Sequence, residues 1–305
     1  VEGHTGMTQD SPGPKGWGAL GLLALVWGSA FAFIAVAVDT LPPSIIVLGR
    51  LSLAAVILTG WAFYRRRRFP PLKDVRWLWF LALGLLGNAL PFTLIAIGQK
   101  TVPSGIAGIL MGMMPLTVIA AAHFILPNER LSLRKASGFL IGFSGIVILM
   151  GPAALKGMLE ADFLAQLLIF IATLSYAANA VTYQASPETP PSVIAAGSMI
   201  CAAVLSLPVA LYDIVAGPAI TPSLPSIMAV LALGLLPTAL ATIVYMGVAR
   251  KVGASFIALI NYMVPVVAAV IGLARGEPMT LTTLIALGVI LLGVYVARRK
   301  PRVAP

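Results

Sequence analysis

The sequence predicts an all-α integral membrane protein, with ten transmembrane helices arranged as two inverted five-helix repeats. Three observations carry this. The 305-residue chain is 59% hydrophobic and 10% charged, against about 25% charge in soluble domains. Apolar stretches of about 20 residues, the length that crosses a hydrocarbon core, recur ten times. The string LALGLL occurs twice, at Leu81 to Leu86 and Leu231 to Leu236, inside a longer internal match. Continuous rather than alternating apolar runs exclude a transmembrane β-barrel.

Residues 1–17 are polar and Gly/Pro-rich, and read as a disordered lead with no cleavable signal. The first span, 18–38, stops at DTLPPS (39–44), and the second, 44–64, stops at RRRRFPPLKD (65–74). The third and fourth, 76–98 and 103–125, precede PNERLSLRK (127–135), and 133–151 closes the first half. In the second half 163–183 ends at SPETPPS (186–192). There follow 192–214, 225–249, 254–274 and 281–297, then the basic tail 298–305. Clustered Pro, Ser and charge mark each break. The connections are short and leave no room for a second domain.

Lysine and arginine give the orientation. With the N-terminus cytoplasmic, sixteen of the twenty fall on inside segments, including Arg65 to Arg68 and the tail. Only Lys100, Lys156 and Arg275 fall outside, and Arg50 lies within the second helix. Such a bias is the positive-inside signature. It explains the net charge of +10 as topology, so nucleic-acid binding is not required. Trp17, Trp61, Trp77 and Trp79 fall at the same interface, where indoles collect; Trp27 alone falls mid-helix. The single cysteine, Cys201, permits no internal disulfide and no cysteine-based metal site.

The repeat extends beyond LALGLL. At an offset of 150, Ala89-Leu90 meets Ala239-Leu240, Lys100 meets Arg250 and Pro115 meets Pro265. At 148, Glu129 meets Glu277 and Gly145 meets Gly293, and PPSIIVLG (42–49) lies against PPSVIAAG (190–197). The halves are 18–155 and 156–297. Five helices is an odd number, so the second half must enter the membrane upside down. Inverted repeats of this kind carry a site near the midplane, between the halves.

Five-plus-five spans, WGSAF at 27–31, and the paired NERLS and GEPMT after the fourth and ninth helices resemble the EamA-type branch of the drug/metabolite transporter superfamily. The resemblance covers nearly all of 18–297 and is strongest to YddG-like amino-acid exporters. It implies a monomeric ten-helix carrier of the inner (plasma) membrane with both termini cytoplasmic. It also implies a central cavity walled by helices one, three, four, six, eight and nine, export of small organic molecules, aromatic amino acids among them, and no cofactor.

Candidate substrate-binding residues follow on those helices. On the sixth, Tyr176, Asn179 and Tyr183 recur at i, i+3 and i+7 and share a face; helix–helix hydrogen bonding is the alternative use of such a face. Under the 148 offset these three meet Gly28, Phe31 and Ala35 on the first helix, where mid-helix Trp27 is a further candidate. On the third, Asn88 and Phe92 share a side with Ile95 and Gln99, and Asn88 pairs by repeat with Thr238. Asn261 pairs with Met111; the Met111, Met113 and Met114 cluster also suits ordinary core. Pro115 and Pro265 are expected to kink their helices symmetrically and to assist gating, although a static bend would look the same in sequence. His123 is read as an interfacial histidine without metal partners. Arg50, about 9 Å inside its helix by rise, is expected to snorkel outward.

All ten Asp and Glu fall in termini, loops or span ends. A proton-coupled cation exporter would need an intramembrane acid, so an uncoupled carrier of neutral, zwitterionic or weakly polar solutes is expected. Glu129 and Glu277 are placed at the surface, near starts of helices capped by Ser132 and Thr280. A multidrug or organic-cation exporter of the same fold is the alternative. A membrane enzyme would need paired aspartates, HExxH or a Ser/His pair, none of which occurs. A nucleotide-sugar carrier would need several basic cavity residues, and a scaffold would not need the repeat.

Overall fold

The computed structural model describes residues 13–125, 133–150, 161–248 and 259–298. Ten helices, and no strand, form the regular structure of these residues. They are α1 Pro14–Val38, α2 Pro43–Tyr64, α3 Arg76–Gly98, α4 in two pieces (Ser104–Met111 and Met114–Ile125), and α5 Leu133–Met150. The second set is α6 Ala161–Ala185, α7 Pro191–Ala216, α8 Leu224–Val248, α9 Ile260–Ala274 and α10 Leu281–Arg298. Seven of these are long and apolar enough to cross a membrane, and α9 and α10 are shorter apolar helices. The all-α, ten-helix, two-repeat architecture is therefore the one expected.

One boundary differs. α1 begins at Pro14, inside the stretch expected to be disordered. Proline at the first turn has no N–H to leave unsatisfied, and α2, α7 and α8 start the same way. Thr280 caps α10 as expected, its hydroxyl accepting from Thr283 N at 3.2 Å. Glu129 and Ser132 lie outside the described residues.

Helix packing interchanges when the halves are exchanged. α1 packs on α9 and α4 on α6; α3 packs on α6 and α1 on α8; α3 packs on α7 and α2 on α8. The self-paired contacts are α2 with α7, α4 with α9, and α5 with α10. Each of these three pairs runs antiparallel. Ser44 near the start of α2 meets Asp213 near the end of α7. Gly105 at the start of α4 lies beside Ala268 and Ala269 in α9. Gly145 faces Ile290 while its repeat mate Gly293 faces Gly142.

Small residues permit this last approach, as in other membrane helix pairs. A Cβ on Gly293 would fall 2.6 Å from both the Gly138 oxygen and the Gly142 Cα, which are backbone atoms that cannot swing aside. Gly293→Leu is expected to lower stability by about 3 kcal/mol, the upper end of overpacking costs. A thermal melt in detergent checks this; an unchanged midpoint would mean that α5 and α10 do not pack as described.

The repeated LALGLL strings lead into the main irregularity of each half. α3 contains a π segment, Leu85–Ala89, and α8 contains another, Gly234–Leu240. A proline stands at each place, Pro91 just after the first segment and Pro237 inside the second, and neither can donate to the preceding turn. In α3 the Leu90 N–H reaches back to Leu85 O, and in α8 the Ala241 N–H reaches back to Leu236 O. The neighbouring carbonyls recruit side chains, as membrane helices require. Thr238 Oγ1 donates to Leu233 O at 2.7 Å, and its repeat mate Asn88 Nδ2 makes a longer 3.5 Å bond to Leu83 O.

Candidate functional site

The two π segments flank a cavity of about 310 Å³ at the seam between the halves. From α1 come Trp27, Phe31 and Ile34; from α3, Asn88, Phe92 and Ile95. α4 supplies Met111 and Met114, α6 supplies Tyr176, and α8 supplies Pro237, Thr238 and Thr242. Asn261, Val264 and Pro265 close it from α9. Two helices not expected in the wall also contribute, α2 through Arg50 and α7 through Met199.

The i to i−5 bonds leave Leu86 O and Pro237 O without their usual helix donors, and side chains from the opposite half take both. The Trp27 indole Nε1 donates to Pro237 O at 2.9 Å. At the equivalent place in the other half, Ser175 Oγ donates to Leu86 O at 2.7 Å. Positions 27 and 175 are repeat mates at the 148 offset, so each half pins the other's π segment. Gln99 is buried at the end of α3, and its Nε2 donates to Phe31 O at 2.8 Å, tying α1 to α3 beside the cavity. The Trp27 ring also packs on Tyr245, with centroids 5.7 Å apart.

Arg50 corrects the sequence expectation. It does not snorkel: only 6% of it is exposed. Its Nε donates to Thr238 Oγ1 at 2.7 Å, and its guanidinium carbon lies 3.6 Å from the centroid of the Phe92 ring. Arginine usually escapes to the interface when its helix end is near. Here a hydroxyl from α8 and an aromatic face from α3 hold it inside, and neither is visible from the sequence of α2.

Of the sequence candidates, Trp27, Phe31, Asn88, Phe92, Met111, Tyr176, Thr238 and Asn261 lie together on the cavity wall. Two do not. The Asn179 amide packs onto α3, its Oδ1 2.6 Å from where a Cβ on Gly87 would be. That is the helix-contact use of the α6 face. Tyr183, further along α6, is 47% exposed and does not line the cavity. The prolines are unlike each other. α4 is interrupted at Gly112–Met113 and restarts with Pro115 in its first turn, whereas Pro265 sits inside the described helix α9 and lines the cavity. His123 is half-buried in the last turns of α4. Among the described residues no cluster of three His, Cys, Asp or Glu could hold a metal.

Glu277 lies near the start of α10, as expected, but its partners are on another helix. It reaches from the α9–α10 connection to the start of α4. Its Oε1 accepts from Ser104 Oγ at 2.5 Å and its Oε2 from Gly105 N at 2.9 Å, with Arg275 Nε 3.4 Å from Oε1. Two further contacts join the halves at this end of the bundle. Thr40 Oγ1 donates to Ser226 Oγ at 2.8 Å, and Ser44 Oγ donates to Asp213 Oδ2 at 2.5 Å.

Comparison with known proteins gives one consistent result. The model of the EamA-like transporter family matches twice in tandem, over residues 15–151 and 163–299. The chain is 30% identical over 301 residues to the uncharacterized inner membrane transporter YedA of Escherichia coli K12, covering 95% of this chain and 94% of that protein. It is 26% identical over 294 residues to an uncharacterized transporter of Archaeoglobus fulgidus, covering 94% and 99%. A solved crystal structure superposes with a TM-score of 0.64 at 22% identity, over 92% of this chain and 95% of the other.

Proposed function

The chain belongs to the EamA-like transporter family, and from that premise we propose that it exports small organic metabolites, amino acids including aromatic ones, by alternating access. The observation that carries the reading is the cavity at the seam, lined by aromatic rings with a few amides, hydroxyls and one guanidinium. Ligand sites have this composition: an apolar wall with few placed polar groups.

The antiparallel self-pairing of α2 with α7, α4 with α9 and α5 with α10 supports inverted halves, 18–155 and 156–297, about a pseudo-two-fold axis in the membrane plane. A two-fold axis along the membrane normal would make such pairs parallel. Two like halves rocking about that axis expose the cavity to each side in turn. The lysine and arginine bias supports cytoplasmic termini in the inner membrane. The end joined by Glu277, Thr40 and Ser44 is then the external one, and this conformer is closed to the outside. The 1–17 lead and the 298–305 tail are cytoplasmic, and the carrier works as a monomer with Pro115 and Pro265 in its gates.

Transport is uncoupled in this reading. Among the described residues the wall holds no carboxylate, the group that would exchange a proton for cargo. An organic-cation exporter of the same fold is the rival, and Arg50 in the wall counts against it, because like charge at close range in low dielectric is repelled.

The test is transport by purified protein in proteoliposomes of a panel of aromatic amino acids, small amino acids and organic cations. Amino acids are expected to equilibrate without concentrating when a pH gradient is imposed. Movement of none of them refutes the exporter reading. Accumulation driven by the pH gradient refutes the uncoupled one.

A further inference from the structure

We propose that Arg50 anchors the carboxylate of the substrate, which makes it the residue that selects acids over amides, esters and amines. The inference deepens the proposed function and rests on the same cavity.

A buried charge is stable only when paired or richly hydrogen-bonded. Arg50 is buried, yet among the described residues no carboxylate forms an ion pair with it. Its partners there are the neutral hydroxyl of Thr238 and the face of Phe92. A guanidinium has five N–H donors. Nε is committed to Thr238, so the four N–H of the two Nη groups have no protein acceptor among the described residues. They form the end edge of the fork, the edge that takes a carboxylate through two parallel bonds. The residue lines the cavity, so a ligand can supply the missing anion.

The surroundings fix the rest of the ligand. One face of the guanidinium is covered by Phe92, a cation–π contact that also sets its plane. The rings of Phe31 and Trp27 line the same cavity and suit an apolar or aromatic side chain. The Thr238 hydroxyl is itself fixed by donating to Leu233 O, so the guanidinium is oriented before any ligand arrives. That lowers the ordering cost of binding.

Binding to the full chain in lipid nanodiscs tests the proposal, using four probes that share a benzyl group: phenylalanine, phenylalaninamide, phenethylamine and 3-phenylpropionate. The two acids are expected to bind at least about tenfold more tightly than the amide and the amine. Arg50→Gln is expected to weaken the acids about 10- to 100-fold without weakening the amide, with Arg50→Lys between. Equal affinity for acid and amide in the unaltered protein overturns the proposal, without relying on any variant folding. So does failure of both acids to bind, or full acid affinity in a folded Arg50→Gln protein. Arg50-dependent binding of 3-phenylpropionate without transport of any amino acid would refute the amino-acid reading and support the anchor. Amino-acid transport indifferent to Arg50→Gln would do the reverse.

Discussion

Trp27→Ala is expected to slow transport by about tenfold or more, the largest effect of any single cavity truncation. Two losses coincide at this residue. Trp27 is half-buried, so its truncation forfeits part of the roughly 3–5 kcal/mol that a fully buried large aromatic contributes, and the 2.9 Å bond to Pro237 O disappears with it. That carbonyl lies in the π segment of α8, and leaving such an acceptor unpaired costs about 1–3 kcal/mol. The cavity would lose a wall and the shape of the helix behind it together. Initial rates in proteoliposomes, with a melting curve to confirm folding, measure the effect. Asn179→Ala is expected to act more weakly, by loosening α6 against Gly87. Unchanged transport in Trp27→Ala would sink the cavity assignment.

Much of this arrangement is legible in the sequence, because bilayer thickness dictates span length and proline, glycine and charge end each span. The repeat offset is legible too, and residue numbers alone pair Asn88 with Thr238. What one helix cannot reveal is which neighbour a side chain meets. Tyr176, Asn179 and Tyr183 do share a face of α6, but the cavity reaches only Tyr176, while Asn179 meets Gly87 and Tyr183 lies beyond. Arg50 looks like a snorkelling residue until Thr238 and Phe92, distant in the chain, are brought against it. Glu277 looks like a surface residue near its own helix, and its partners Ser104 and Gly105 are about 170 positions away. The matched pair of glutamates after the fourth and ninth helices is the sign of this that the sequence carries.

Glu277→Ala is expected to release the closed end of the bundle. The carboxylate accepts from a hydroxyl and from the backbone N–H of Gly105, at the positive end of α4. A helix-capping acceptor is worth about 0.5–2 kcal/mol. Loss of about 1–2 kcal/mol changes a two-state ratio about 5- to 30-fold. The expected outcome is a shift in that range toward the conformer open at the Glu277 end. Reactivity of a cysteine placed at Val102, which is buried in this conformer, toward a membrane-impermeant reagent, in a Cys201→Ser background, would report it. Glu277→Gln keeps the acceptor oxygen and should shift the ratio less. Unaltered labelling in Glu277→Ala would show that the contact does not hold the end shut.

The two halves mirror each other in their packing, yet not at the guanidinium. The repeat mate of Arg50 is Ser198, and the mirrored contacts of Gly84 with Ser198 O and Gly234 with Arg50 O confirm the equivalence. Among the described residues Arg50 is the one cationic side chain in the cavity wall, so on the proposed reading a carboxylate has a berth on one half and none at its mate. Cargo anchored there would not be handed from one half to the other as the gates exchange. It would stay on the half that received it, and the membrane faces would change around a passenger that keeps its seat.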